Sequence, residues 1–97
     1  MATFIVLGSY TAQGITAIKD SPSRLDAARE SLSKVGVTIK DFYLTMGEHD
    51  ILAIVEAADA ATAAKGLMAL GAAGNVSTVT MAALTEDEFR QVVSELP

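Results

Sequence analysis

The single histidine of this sequence stands in Gly47-Glu48-His49-Asp50, where an imidazole lies beside two carboxylates. Those types suit a general base oriented by an acid, or a metal-ligand set. Spacing argues against the second use, because Glu48 and Asp50 share one face of extended backbone while His49 points to the other. Gly47 and Asp50 are also turn residues, glycine supplying positive φ and aspartate bonding the backbone where the next strand starts. A ligand held at this hairpin end draws positive charge from Lys19 or Arg24, the arginine as a two-pronged donor. Tyr10 closes the first apolar run and brings a hydroxyl. The candidate ligand-binding residues are therefore His49, Asp50, Arg24, Lys19 and Tyr10, with Gly47 as a structural turn residue. No catalytic residue is assigned, and neither a metal nor a cofactor is expected.

Other chemistries lack their residues. There is no cysteine, so thiolate nucleophiles, disulfides and cysteine metal sites are excluded. Ser77, Thr78 and Thr80 have no companion histidine and no Gly-x-Ser-x-Gly elbow. Neither a phosphate-binding loop nor a dinucleotide glycine fingerprint is present. Seven basic against twelve acidic residues leave a net charge of −5, opposite in sign to what nucleic acid or an anionic membrane attracts. Gly71-Ala72-Ala73-Gly74 resembles an RNA-clamping loop only in its glycines. With 51% hydrophobic and 20% charged residues, the 97 residues make one domain with one core. A cytoplasmic location is expected, since Met1-Ala2-Thr3 has no basic leader and no apolar run nears the ~20 residues of a membrane span.

The elements that position these residues follow from periodicity. Thr3 to Tyr10 reads as a buried strand around Phe4-Ile5-Val6-Leu7. Thr11 to Asp20 holds at most a helical turn. A helix follows with Ser21 as N-cap and Pro22 first, carrying Leu25, Ala28, Leu32 and Val35 inward until Gly36 ends it. Val37 to Met46 and Ile51 to Val55 form a hairpin. Asp59 caps a second helix, with Ala60, Ala63, Ala64, Leu67 and Leu70 inward. Val76 to Leu84 is a fourth strand, and Thr85 with Glu88 marks a capping box for a C-terminal helix carrying Phe89, Val92, Val93 and Leu96. The β-α-β-β-α-β order predicts an α+β, ferredoxin-like sandwich with a C-terminal helix. Strands apolar on both faces predict a homodimer packed sheet to sheet.

The sequence resembles the GYD domain proteins over about residues 3 to 84. The resemblance rests on Thr11-Ala12-Gln13-Gly14-Ile15, Ser21-Pro22-Ser23-Arg24, Met46-Gly47-Glu48-His49-Asp50-Ile51, Ala53-Ile54-Val55-Glu56-Ala57, and Leu70-Gly71 with Gly74-Asn75-Val76. His49 replaces the tyrosine usual in that pattern. The resemblance implies a small bacterial or archaeal protein of the dimeric α/β-barrel type. Two functions remain open. One is an oligomeric module that binds a small metabolite between sheet and helices or serves in assembly and regulation. The other is a cofactor-independent enzyme of monooxygenase or lactone-isomerase type using His49 as base.

Overall fold

The computed structural model describes residues 1–97. The chain runs β1 (Ala2–Tyr10), α1 (Ala12–Thr16), a 3-10 turn at Ile18–Asp20, α2 (Ser21–Lys34), β2 (Thr38–Leu44) and β3 (Ile51–Ala57). It continues through α3 (Ala60–Ala72), β4 (Val76–Ala83) and α4 (Glu86–Ser94). All strand pairs are antiparallel, in the order β2-β3-β1-β4. The architecture is the α+β, ferredoxin-like sandwich that the element order predicts.

Side-chain parity divides this sheet into two unequal faces. Phe4 and Val6 of β1 pair with Val55 and Ala53 of β3, and these four are buried with Leu32, Val37, Ala57, Ala63 and Leu67 in the core. The opposite face carries Ile5 and Leu7 beside Ile54 and Leu52, flanked by Val79 and Met81 of β4 and Tyr43 of β2. No helix covers it. Tyr43 and Val79 are each 56% exposed.

Several local expectations change. Val37 to Met46 is shorter as a strand than expected, Thr38–Leu44, and its register shifts between Ile39 and Asp41. The irregularity leaves Lys40 unpaired and brings Ile39 and Phe42 onto the core face together, as an extra residue does in a strand. Ser21 is not an N-cap. The 3-10 turn runs straight into α2, so Ser21 already has helical φ/ψ, and the position before the helix belongs to Asp20, which makes no side-chain cap. On α3 the buried residues are Ala63, Gly66 and Leu67, while Ala60 and Ala64 are exposed. On α2, Val35 is exposed.

The expected caps form. Gly36 ends α2 with φ +89°. The Asp59 carboxylate accepts from the Thr62 N–H at 2.8 Å, and Thr85 and Glu88 make the reciprocal capping box of α4. Hydrogen bonds from the Thr62 side chain and then its backbone hold Asp59 below the usual carboxylate range. The Thr85 backbone and then its hydroxyl do the same for Glu88.

Two glycines set the spacing of the layers. A Cβ on Gly66 would lie 2.9 Å from both Leu32 and Val37 side chains, so α3 approaches the end of α2 closely only at this residue type. At Gly14 a Cβ would meet the Asn75 carbonyl oxygen at 2.0 Å. Gly47 has the positive φ expected of it, +158°, which side chains rarely adopt, although a Cβ there meets nothing within 4 Å. We therefore expect Gly14→Ala to cost about 2 kcal/mol or more, as overpacking does, and Gly47→Ala to destabilise less, through backbone strain alone; thermal melts of the two variants rank them. The caps predict a pH effect of definite sign. Both carboxyls titrate lower folded than unfolded, so their stabilisation is complete above the unfolded values and is lost as pH falls through the folded ones. Melting temperatures of Asp59→Ala and wild type should converge through that acid window and differ most near neutrality.

Candidate functional site

Between the helices and the sheet is a cavity of about 520 Å3, lined mainly by apolar side chains and running along α2 from Ser21 to Leu32. Val6, Ala53 and Val55 form its floor, Leu25, Ala28 and Leu32 one wall, Leu67 and Leu70 the other, and Ile39 and Phe42 of β2 close one side. Its size is within the range of small-molecule sites, roughly 300–1,000 Å3.

Polar groups gather where β1 ends. Tyr10 Oη and Ser21 Oγ are 2.8 Å apart, and both residues line the cavity with Arg24, Asn75 and Thr78. Register accounts for the grouping: Tyr10 is opposite Val76 and Gly8 opposite Thr78, while α2 starts above this end of the sheet. The guanidinium of Arg24 donates to the carbonyls of Ala17 at 2.9 Å and Gly14 at 3.2 Å. It thus satisfies the C-terminal end of α1, where a cation is electrostatically favoured.

The short α1 is stitched to the connection between α3 and β4. Thr11 donates its N–H to the Asn75 carbonyl at 3.1 Å and its hydroxyl to the Gly74 carbonyl at 2.6 Å. That same hydroxyl caps α1 by accepting from Gly14 N–H at 3.1 Å. The Gln13 amide reaches Asn75 Oδ1 at 3.1 Å. Three segments far apart in sequence, 11–15, 21–24 and 73–76, therefore meet at one end of the cavity.

The sequence-predicted residues separate into groups. Tyr10 and Arg24 line the cavity. His49 lies by the uncovered side of the sheet, with Nδ1 3.4 Å from the hydroxyl of Ser9, a residue of opposite parity to Tyr10. Asp50 stays close to Tyr10 but binds its backbone: one carboxylate oxygen accepts the Tyr10 N–H at 2.9 Å, while Asp50 N–H donates to the Gly8 carbonyl at 2.9 Å. The carboxylate thus acts as one more acceptor in the β1 ladder. The turn is closed by Thr45, which donates to the carbonyls of Asp50 and His49 at 2.8 and 2.6 Å. Lys19 is exposed on the 3-10 turn, away from the cavity lining. Sequence reasoning does not single out Ser21, Asn75 or Thr78 as site residues. Ser21 and Asn75 lie inside the family-like segments, which is the one available signal, and Thr78 carries none.

An antiparallel four-stranded sheet with two helices on one face and a largely apolar cavity between them defines a small α+β protein of ferredoxin-like fold. No helix is long and apolar enough to cross a membrane. The chain belongs to the GYD domain family, which matches residues 4–93. It is 35% identical over 85 residues to a protein of Thermus thermophilus named glutamine synthetase and cystathionine beta-lyase binding protein, covering 87% of this chain and 90% of that one. No solved structure matches.

Asp50 is testable by isosteric replacement. Asp50→Ala leaves the Tyr10 N–H without its acceptor and should cost about 1–2 kcal/mol. Asp50→Asn keeps an oxygen in place and should cost less, and His49→Ala least. Chemical denaturation of the three variants gives the order; equal losses would show that the ladder bond is not what Asp50 supplies.

Proposed function

We propose that the protein is a cytoplasmic, homodimeric binding module that holds a small amphipathic metabolite between sheet and helices and serves enzyme partners in a regulatory or assembly role. The observation that carries this reading is the cavity, large, apolar along its length and polar at one end. Its walls suit an aliphatic or aromatic body, and Tyr10, Ser21, Asn75 and Thr78 suit a hydroxyl, amide or carboxyl end. Arg24 adds positive potential there, though two of its donors are committed to α1. The name of the Thermus thermophilus relative supports a protein partner, an enzyme such as glutamine synthetase, for this chain as well.

The dimer follows from the uncovered sheet face. Ile5, Leu7, Leu52 and Ile54 form a contiguous apolar surface at its centre, and soluble proteins rarely leave such a surface in water. A second copy packed face to face covers it with chemically identical side chains, in the manner of a two-fold interface. His49 at the margin then faces the dimer rather than the cavity. The enzymatic reading has less support, since the one imidazole neither lines the cavity nor is oriented by Asp50.

Calorimetry with octanoate and octanol as probes tests the cavity. Both should bind, and Ala28→Trp, which fills the space between α2 and the sheet, should weaken both at least tenfold while circular dichroism stays native. Undiminished binding in that variant, or none to wild type at millimolar probe, contradicts the cavity reading.

A further inference from the structure

The C-terminal helix has no partner within its own chain. Phe89, Val92, Val93 and Leu96 recur at the spacing of one helical face, yet every residue of α4 is exposed, Phe89 by 58% and Leu96 just beyond it by 65%. A helix of nine residues is too short to persist in water on propensity alone, since isolated helices need roughly 12–15 residues. Its capping box and the Arg90–Glu86 pair help the helix form but bury none of that stripe.

Global dimensions point the same way. The chain exposes 6416 Å2, whereas a folded monomer of its mass exposes about 5,300 Å2. Its radius of gyration is 14.6 Å against about 12.5 Å expected for this length. The excess area, roughly 1,100 Å2, is comparable with the ~800 Å2 that each partner buries in a stable complex.

We propose that α4 is an exchanged arm, which crosses to a second copy of this chain and packs its Phe89–Leu96 stripe against the margin of that copy's uncovered sheet face. The inference rests on the homodimer proposed above and adds a second contact to it. Only Leu84 and Thr85 link α4 to β4, so the arm leaves directly from an edge strand of the sheet that forms the interface. A two-fold axis then returns an identical arm from the partner, and the two surfaces left bare in the single chain are covered in one assembly.

The experiment uses the full chain. Val92→Glu with Val93→Glu places charges on side chains that are exposed in the single subunit, so the thermal melt of the sheet domain should stay cooperative while sedimentation equilibrium shows the dimer dissociation constant raised at least tenfold. Because the chain has no tryptophan, Phe89→Trp supplies a lone reporter. Its emission should shift to the blue as concentration drives dimerisation and stay water-like when Leu52→Glu is added. An unchanged dissociation constant in the double glutamate variant, with Leu52→Glu monomeric, overturns the arm and leaves the sheet dimer standing. A blue-shifted tryptophan in the Leu52→Glu monomer also overturns it, because the helix then packs on its own chain. A wild type that stays monomeric at all concentrations overturns both proposals together.

Discussion

The rest of the structure depends on one constraint: the central strands β1 and β3 carry apolar side chains on both faces, while α2 and α3 cover only one. Alternation puts Phe4, Val6, Ala53 and Val55 beneath the helices and Ile5, Leu7, Leu52 and Ile54 on the other side. Each half of this arrangement obeys the same rule, that a strand's apolar face needs a second layer. The helices provide that layer once. The remaining face has no layer within the chain, and a second copy of the same sheet is the cover proposed for it.

The covered side is itself only partly closed. Small residues let α3 approach α2 at Gly66, while the cavity runs between the helices and the sheet. Its end near Tyr10 is held by polar contacts: Arg24 on the carbonyls of α1, Thr11 and Gln13 on the 73–75 connection, and Tyr10 on Ser21. Such contacts fix the mouth of a cavity without filling it. The cavity and the uncovered apolar face therefore lie on opposite sides of one sheet, joined through β1.

Much of this is legible in the sequence, and the misses have identifiable causes. Asp59, Thr85 with Glu88, and Gly36 bound their helices because caps and stops act over three or four residues. The two-faced apolar character of residues 4–7 and 51–55 is equally plain. The irregularity at Lys40 is not, since it depends on the pairing with β3 and reverses parity within β2, so that Ile39 and Phe42 face the same way. Ser21 looks like an N-cap because Pro22 follows it; the preceding 3-10 turn has already begun the helical path. The candidate site residues divide between two faces for a related reason. His49 and Tyr10 approach the same end of β1, but Ser9 and Tyr10 point to opposite faces, and the imidazole follows Ser9 while the phenol turns toward the cavity. Arg24 is recognisable as a cation near the site, but its hydrogen bonds to α1 require the folded chain.

Sedimentation equilibrium of the unmodified protein from nanomolar to micromolar concentration tests the central claim most directly. A sheet bare on one apolar face predicts a reversible monomer–dimer equilibrium with the dimer dominant at micromolar concentration, a mass near twice 10.1 kDa. A folded monomer persisting throughout that range would contradict it, because the second face of the sheet would then be stable in water without a covering layer.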